Sequence, residues 1–332
     1  MYKFKNVTFL LLLLLCGAFL VASCDRGESR DSMAKERPLT VLVAGLDDAA
    51  ENTDVLMLVR VDPTASALSV LQIPRDTYFE TEGYRGKING LYPTYRYRKN
   101  RKEEALALLS EELSACLSVP IDRFVAVDTA AVSEIVDALG GVTLSLPAPI
   151  RYRDGEEYTE LSAGEHTLTG REALQFLRFR SAYVEGDLGR VDAQKLLLAA
   201  AYRKAKEELT LTAALTLLPK LYDRILTDMP LTEQLSCAYA FYRDRDRFSV
   251  KLLTLPGEAT QDPADGLWYY VANRRASAEA LSLYFGGAEG FDPHTALCDE
   301  GRLGFFNIYN DKNGTYTVYT EETVDGLNIK TK

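Results

Sequence analysis

Histidine and cysteine, which often carry catalysis or bind metals, are scarce in this sequence of 332 residues. Its two histidines are His166 and His294, so a mechanism that depends on histidine has little support. The five cysteines show no zinc-type spacing, and the three outside the N-terminal segment can form at most one disulfide. One of these, Cys116, falls on the apolar face of a helical pattern, where a buried thiol is expected. The sequence therefore gives no support for a zinc centre or for histidine catalysis.

Positive charge is also in deficit. The formal net charge is −10, and it becomes −12 when Lys3 and Lys5 of the N-terminal segment are set aside. Because nucleic acids and many membrane surfaces are themselves anionic, an acidic body argues against nucleic-acid binding and against a polybasic membrane patch. The deficit does not exclude a local basic pocket.

The N-terminus has the pattern of an export signal. A short basic start precedes the apolar run Val7–Leu20, and the small residues Val21-Ala22-Ser23 stand directly before Cys24. This junction resembles the lipobox of bacterial lipoproteins, whose cysteine is acylated after cleavage. The alternative is an uncleaved N-terminal anchor, although the run is slightly short for a bilayer span. Either interpretation places the body at the extracytoplasmic face of the bacterial cytoplasmic membrane, joined to it by a charged, flexible stalk at residues 25–38.

Three apolar runs rich in Val, Ile and Leu predict the centre of a sheet: Thr40–Ala44, Val55–Val61 and Leu68–Ile73. The turn sequence Asp62-Pro63-Thr64 separates the second run from the third, which predicts a hairpin. A hairpin brings its first residue close to its last. The residues that flank these two strands are therefore expected at one edge of the sheet.

Charged residues cluster at the ends of these runs: Asp47, Asp48, Asp54, Arg75 and Asp76. The hairpin predicts that Asp54 and Arg75 lie close together, and the turn after the first run places Asp47 and Asp48 near them. Carboxylates beside a guanidinium suit a divalent cation bound together with a phosphate ester. The alternative is ordinary loop charge.

The rest of the chain alternates strands with helices, which predicts an α/β fold in which helices cover a sheet. The predicted helices are Glu103–Leu117, Thr129–Leu139, Thr169–Phe179, Leu188–Glu208, Thr212–Leu226, Leu231–Tyr242 and Ala276–Phe285. The predicted strands are Phe124–Val127, Val142–Leu146, Phe248–Leu255 and Trp268–Val271. The aromatic-rich segment after Asp76 is predicted to be irregular, and residues 150–165 a loop or a loose hairpin. The chain is therefore predicted to form one domain at 39–288, followed by an extension at 289–332. In the extension, Phe305–Tyr309 and Tyr316–Tyr319 are predicted to pair as a small hairpin.

A second charged group lies between Gln175 and Gln194. Arg178 and Arg180 flank a phenylalanine, and Asp187, Arg190 and Gln194 follow across two glycines. On a helix that starts near Leu188, Arg190 and Gln194 face the same way, and the N-terminus of that helix favours an anion. Several arginine forks suit a pyrophosphate, since each can bind two oxygens. The alternative is a set of surface ion pairs at a helix end.

These motifs, taken in order, resemble the LytR-CpsA-Psr family. The matching pieces are GLDD at 45–48, TD at 53–54, IPRD at 73–76, KIN at 87–89, DALGGV at 137–142, the pattern G-x-x-x-L-T-G-x-x-A-L at 164–174, RFR at 178–180, GDLGR at 186–190 and TLPG at 254–257. Each motif alone is weak, but their shared order and spacing make the resemblance specific. All of them except TLPG lie within about residues 40–200.

The resemblance implies a cell-envelope phosphotransferase that moves a glycopolymer from a polyprenyl-pyrophosphate carrier onto peptidoglycan with Mg²⁺. It also implies a three-layer α/β/α sandwich with a central mixed sheet and an apolar cleft for the lipid. The metal would be held by Asp54 and Asp47, with Asp48 as the alternative to Asp47. The pyrophosphate would be held by Arg75, Lys87, Arg178, Arg180, Arg190 and Gln194, and Arg75, Asp76, Asp187 and Arg190 would take part in catalysis.

The chain departs from the family pattern at two positions. It has Asn52 where many members carry arginine before the Ser/Thr-Asp pair, and Ala193 where they carry arginine before the glutamine that is Gln194 here. Two alternatives to the transferase stay open. One is a hydrolase of the same lipid pyrophosphates, with water as the acceptor. The other is a non-catalytic protein that binds polyprenyl phosphate, and the two departures favour this one.

Overall fold

A computed structural model of the chain describes residues 37–46, 52–146, 148–154, 157–178, 183–184, 186–208, 224–230, 232–234, 244, 246–262, 266–287, 315–327 and 329. The predicted signal segment with Cys24 lies outside the described residues, as does most of the predicted stalk. Most of the two helices predicted at Thr212–Leu226 and Leu231–Tyr242 also lies outside them. Ile225 and Leu226, which were expected to end a helix, belong instead to a short strand that pairs with the central sheet.

The elements have the following bounds. The strands are β1 (Leu39–Leu46), β2 (Thr53–Asp62), β3 (Ala67–Ile73), β4 (Tyr78–Thr81), β5 (Tyr84–Lys87), β6 (Arg123–Asp128), β7 (Val142–Leu146), β8 (Ile150–Asp154), β9 (Glu157–Leu161), β10 (Gly164–Leu168), β11 (Ile225–Thr227), β12 (Ser249–Thr254), β13 (Gly257–Gln261), β14 (Trp268–Ala272) and β15 (Tyr319–Thr320). The α-helices are α1 (Leu91–Lys99), α2 (Lys102–Leu117), α3 (Thr129–Ala138), α4 (Gly170–Arg178), α5 (Asp187–Glu208) and α6 (Arg274–Phe285), with 3₁₀ turns at Ile88–Gly90 and Val324–Gly326.

In the described part of the chain, seven strands form the central sheet in the order β11-β6-β1-β2-β3-β12-β15. The pairs β1–β6 and β3–β12 are parallel, whereas β1–β2, β2–β3, β6–β11 and β12–β15 are antiparallel. The sheet is therefore mixed. Its four strands β1, β3, β6 and β12 run in one direction, and their carboxyl ends meet at one edge, which is where open α/β sheets usually bind ligands.

Helices cover both faces of this sheet. Alternate residues of β1 enter two separate apolar clusters, since Val41 and Val43 pack with α3, α4 and α5, whereas Leu42 and Ala44 pack with α1, α2 and α6. The two clusters make the three layers of an α/β/α sandwich. The predicted fold class is confirmed. Within the described part of the chain, no helix combines the length and the apolar character that crossing a membrane requires.

The segment after Asp76 is regular, which corrects the prediction of an irregular loop. It forms the hairpin β4–β5, a 3₁₀ turn and α1. Helix α1 buries Leu91, Tyr92 and Tyr95 in the cluster that faces α2. Its polar residues and Pro93 hid the helical pattern in the sequence. The helix tolerates Pro93 because this residue lies in its first turn. Cys116 is half-buried against the same cluster.

The end of the chain packs onto the sheet. Strand β15 pairs with β12, and the side chains of Val324 and Ile329 lie in the cluster that also holds α5. Residues 305–309, the other half of the predicted terminal hairpin, lie outside the described residues. The ring of Tyr319 lies 5.6 Å from Lys195 Nζ, so the C-terminal segment contacts α5 directly.

Candidate active site

Six charged residues meet at the carboxyl edge of the four parallel strands, and we call this group the charged rim: Asp54, Arg75, Asp76, Lys87, Asp187 and Arg190. They come from β2, from the turn after β3, from the end of β5 and from the start of α5. All six were singled out from the sequence as site residues, and the fold brings them together.

Asp54 and Arg75 are neighbours because of the hairpin register. Leu56 pairs with Ile73 across β2 and β3, and continuing this pairing by two residues places Asp54 opposite Arg75. Arg75 Nη1 donates to Asp54 Oδ1 at 2.9 Å. The backbone of Arg75 is also held, since its carbonyl accepts from the amide of Asn89 at 3.2 Å. The prediction that Asp54 and Arg75 emerge together is confirmed.

Arg75 lies at the centre of the charged rim. Its Nε is 3.1 Å from Asp187 Oδ1 and 3.9 Å from Asp76 Oδ1. Asp76 Oδ1 is in turn 3.1 Å from Lys87 Nζ. The side chains of Arg75 and Asp187 are only 19% and 15% exposed, so these charges interact more strongly than exposed ion pairs do.

Helix α5 begins at the rim for local reasons. Gly186 has φ +56°, a left-handed backbone that suits glycine, and it precedes Asp187, the first helical residue. A carboxylate at this position is favoured by the positive end of the helix dipole. Gly189 is required by packing, because a Cβ there would lie 2.5 Å from the Cβ of Tyr183. Gly186 therefore shapes the turn into α5, whereas Gly189 allows close packing within the helix.

Arg190 follows one turn later and closes the network. Its Nη2 is 2.7 Å from Asp187 Oδ1 and donates to the backbone carbonyl of Asp54 at 3.4 Å. The side chain is 4% exposed. Arg190 therefore ties α5 to the start of β2 from a buried position.

Both carboxylate oxygens of Asp187 are buried. Within the described part of the chain, no donor reaches them with hydrogen-bond geometry, although two guanidinium nitrogens lie within 3.1 Å. These contacts are therefore close in distance but poorly aligned. Asp187 acts mainly through its charge here, and its oxygens keep acceptor capacity.

A buried pair of glutamines connects the rim to the core. Gln72 Nε2 donates to Gln194 Oε1 at 3.3 Å, and these residues are 3% and 8% exposed. Gln194 lies one turn after Arg190 on α5, as predicted, whereas Gln72 was not singled out from the sequence. A glutamine within an apolar strand is the signal that could have drawn attention to it, because buried amides need partners.

The backbone of Lys87 is held by a hydrogen bond from Tyr84. The hydroxyl of Tyr84 donates to the Lys87 carbonyl. Burial raises the pKa of Tyr84 to about 12, so this phenol is neutral at physiological pH and serves as a donor. Lys87 Nζ is therefore aimed at Asp76 from a fixed backbone.

The remaining predicted site residues lie at the margin of the described structure or beyond it. Arg178 is the last residue of α4 and is half-buried. Asp47, Arg180 and Cys24 lie outside the described residues, so the predicted roles of these three stay predictions. Among the described residues, no three His, Cys, Asp or Glu side chains are grouped as a metal cage.

The charged rim is balanced in charge, with three cations and three carboxylates. The carboxylates hold the cations in place, so an entering phosphate can take over part of their contacts at low cost in side-chain entropy. The three cations come from three separate segments of the chain. Such a set suits an anion with several oxygens better than it suits a ligand with a single carboxylate.

The family follows from a match over most of the chain. The model of the LytR_cpsA_psr family matches residues 21–282. The chain belongs to the LytR-CpsA-Psr family. The resemblance drawn from the motifs is thereby confirmed, and all six residues of the charged rim lie within the matched range.

Among the relatives of this family member is the polyisoprenyl-teichoic acid–peptidoglycan teichoic acid transferase TagU of Bacillus subtilis strain 168. The two are 26% identical over 263 residues, which cover 77% of this chain and 81% of TagU.

Solved structures share the fold. The crystal structure of TagV from B. subtilis is 24% identical, has a TM-score of 0.62 and covers 77% of this chain and 100% of that one. Protein gbs0355 from Streptococcus agalactiae is 20% identical, has a TM-score of 0.67 and covers 81% of this chain and 95% of that one.

The apolar lipid cleft stays a prediction. A cavity of about 460 Å³ lies instead at the amino end of β6, beside Arg123, Phe124 and Asp228. Ser110, Glu111 and Asp122 also line it, so its wall is largely polar and does not suit a hydrocarbon chain.

Proposed function

We propose that this protein is a glycopolymer phosphotransferase, which moves a polymer from a polyprenyl-pyrophosphate carrier onto peptidoglycan during cell-wall assembly. One observation carries the proposal. Arg75, Asp187 and Arg190 form a largely buried charged network at the carboxyl edge of the parallel strands in a LytR-CpsA-Psr fold. The activity in the name of TagU, a teichoic acid transferase acting on peptidoglycan, supports the same reaction class.

The chemistry fits these residues. A sugar hydroxyl of peptidoglycan attacks the phosphorus next to the polymer, and the bond from that phosphorus to the bridging oxygen breaks. The new phosphodiester joins the polymer to peptidoglycan, and polyprenyl monophosphate departs with the bridging oxygen. Arg75, Lys87 and Arg190 stabilise the negative charge on the phosphate oxygens, which is the main demand of phosphoryl transfer. Asp76 or Asp187 accepts the hydroxyl proton.

A magnesium ion fits the donor chemistry of the rim. Mg²⁺ prefers hard oxygen ligands and is often held by one or two carboxylates together with substrate phosphates, so a three-residue cage is not required. Asp54 offers such a carboxylate at the rim, 31% exposed, and Asp47 is the second proposed ligand. When bound, the ion would neutralise phosphate charge.

The proposed location is the extracytoplasmic face of the membrane, with lipidated Cys24 or an N-terminal anchor as the tether. Strand β1 begins at the edge opposite the charged rim and crosses the sheet over eight residues, about 26 Å. The predicted stalk of 14 residues, 25–38, can span up to about 47 Å when extended. It is therefore long enough for the rim to face the membrane that holds the carrier lipid.

A non-catalytic lipid-binding role is the second candidate, and one observation favours it. Ala193 is fully buried in the apolar cluster beneath α5 and supplies no cation to the site. Such a protein would hold the carrier without turning it over.

Product analysis separates these functions. The full chain in detergent is incubated with a polyprenyl-pyrophosphate oligosaccharide, with and without peptidoglycan fragments, in Mg²⁺ or in EDTA. A transferase yields muropeptide-linked oligosaccharide only when fragments and Mg²⁺ are both present. Free oligosaccharide phosphate without fragments would instead identify a hydrolase. Carrier binding that survives EDTA, with no product of either kind, would identify the non-catalytic protein.

A further inference from the structure

Residues 96–102 form an exposed basic segment, which we call the basic ridge. Five of its seven residues are cations: Arg96, Arg98, Lys99, Arg101 and Lys102. The segment comprises the last turn of α1, the link to α2 and the first residue of α2. All of these cations except the half-buried Arg96 are exposed. A concentration of positive charge is unexpected in a chain whose net charge is −10.

Most of this charge is not used in ion pairs. Arg101 Nη1 lies 3.0 Å from Glu104 Oε1, and Arg98 Nη2 donates to the Gly83 carbonyl at 3.3 Å. With the described residues, Arg96, Lys99 and Lys102 make no ion pair within 4.0 Å. Glu103 and Glu104 follow directly and leave an excess of three positive charges over residues 96–104.

Helix stability accounts for only part of the ridge. Cations in the last turn of α1 are favoured by the helix dipole, which covers Arg96, Arg98 and Lys99. Lys102, however, is the first residue of α2, where the same dipole disfavours a cation. The helix dipole therefore does not explain why Arg101 and Lys102 stand at this junction. A polyanionic ligand would explain them, because it would be attracted by both charges.

Two elements lead from the charged rim to the basic ridge. Lys87 of the rim is followed by the 3₁₀ turn and then by α1, whose nine residues extend about 13 Å. Beside it, β4–β5 pairs Tyr78 with Lys87 at the rim end, and its turn at Gly83 contacts Arg98 of the ridge. Four strand residues also span about 13 Å. The ridge thus lies one short helix away from the site.

An exposed aromatic ring completes the surface. Tyr97 lies between Arg96 and Arg98 and is 92% exposed, the highest value among the large hydrophobic residues of the described structure. Tyrosine and arginine are the residues that binding surfaces favour over lysine, because they combine a large rigid area with polar contacts. Such a ring can pack against a sugar while its neighbours bind phosphates.

We propose that the basic ridge binds phosphate-bearing repeat units of the glycopolymer while the charged rim holds its pyrophosphate end. The inference rests on the proposed function and narrows its substrate to a polyanionic polymer rather than a neutral one. The continuity of the ridge with the rim favours the polymer as the occupant, because the polymer is covalently joined to the group that the rim binds.

A charge-neutralising variant tests the ridge by binding alone. Lys99→Gln/Lys102→Gln in the full chain is titrated with fluorescently labelled inorganic polyphosphate. The matched control is Arg171→Gln/Arg247→Gln, which also removes two exposed positive charges but lies outside rim and ridge. We expect the ridge variant to bind polyphosphate about tenfold more weakly than the wild type, since each exposed charge contact contributes up to about fivefold to the affinity. We also expect its affinity to depend less steeply on salt concentration. The control should match the wild type.

The other outcomes are distinct. Equal polyphosphate affinity for the ridge variant and the wild type would overturn the proposal, and so would an equal loss in the control. The same proteins are also tested on vesicles of phosphatidylglycerol and phosphatidylcholine. If the ridge variant loses only vesicle binding, the ridge contacts membrane rather than polymer, and the proposal fails. Absence of transfer by the wild-type chain would contradict the proposed function, whereas the polyphosphate titration judges the ridge independently of turnover.

Discussion

Arg75 Nε lies 3.1 Å from Asp187 Oδ1, and this contact joins the end of β3 to the first residue of α5. Arg190 Nη2 approaches the same oxygen to 2.7 Å. One carboxylate oxygen therefore holds two guanidinium groups in place, with their charges partly compensated before any phosphate binds. The positions of the cations at the charged rim depend on Asp187.

Replacing Asp187 by asparagine should impair transfer more than it impairs folding. We expect Asp187→Asn to lower kcat/KM by about 100-fold, because cations displaced by about 1 Å lose the geometry that transfer requires. Steady-state kinetics check the result. Asp192→Asn is the matched control, since Asp192 also forms an i,i+3 ion pair on α5, at 2.7 Å from Lys195 Nζ. Equal kinetic effects of the two variants would contradict the special role of Asp187.

Gln72 is expected to position Gln194. Because Gln72 donates to Gln194 Oε1, the amide nitrogen of Gln194 stays available as a donor toward phosphate. Gln72→Met should raise KM about three- to tenfold with a smaller change in kcat, the usual worth of one hydrogen bond. Gln234→Met, at another fully buried glutamine, which bonds the Met229 carbonyl, is the control for stability. An unchanged KM in Gln72→Met would refute the positioning role.

The sequence predicted those parts of the site that local rules determine. The Asp-Pro-Thr turn set the hairpin register, and this register alone brings Asp54 to Arg75. The glycine before Asp187 marked the start of α5, and helical spacing aligned Arg190 with Gln194. The contact between Arg75 and Asp187 needed the fold itself, because nothing in local spacing says that α5 begins above the end of β3.

Other features carried signals too weak to interpret. Helix α1 is short, has only three buried residues and contains Pro93, so its apolar periodicity is masked by charge and aromatic rings. The Gln72–Gln194 bond is long-range, and a single buried glutamine predicts a partner without naming it. The packing of β15 on β12 is an edge pairing between distant segments, which turn signals cannot indicate.

Asp228 gives a pH-dependent prediction. Burial raises the pKa of this carboxyl despite the nearby Arg123 charge, while Glu233 adds to the increase. A raised pKa in the folded state favours folding at low pH, and that contribution is lost as the pH rises through the folded-state value. At pH 7 the charged Asp228 therefore lowers the free energy of unfolding. In the wild type, the Phe124 amide donates to Asp228 Oδ1 at 2.8 Å. Asp228→Asn keeps an oxygen that can accept this hydrogen bond and removes the buried charge, so it should raise Tm at pH 7.

Melting curves at several pH values check this prediction. The Tm advantage of Asp228→Asn should shrink toward zero near pH 3, where the wild-type carboxyl is protonated in both states. A variant that melts below the wild type at pH 7 would contradict the predicted direction of the effect.

Gly170 is a packing requirement at the start of α4. A Cβ at this position would lie 2.0 Å from the Ser133 carbonyl oxygen of α3, and the Gly170 amide donates to Asp137 Oδ1 at 2.7 Å. We expect Gly170→Ala to lower Tm by about 3–10 °C, in line with overpacking costs of about 1–3 kcal/mol. Gly326→Ala is the control, since a Cβ there meets no atom within 4 Å. Equal Tm values for the two variants would show that α3 and α4 can move apart freely.

If phosphoryl transfer takes place at the charged rim, the reaction should depend strongly on Arg75. The measurement is the release of polyprenyl monophosphate by Arg75→Ala with peptidoglycan fragments and Mg²⁺ present. Arg60→Ala is the control, because Arg60 bonds only Thr40 Oγ1 and the Phe285 carbonyl among the contacts described. We expect a loss of at least about 100-fold for Arg75→Ala and near wild-type release for Arg60→Ala. Release by Arg75→Ala within twofold of the wild type would show that transfer does not take place at the charged rim.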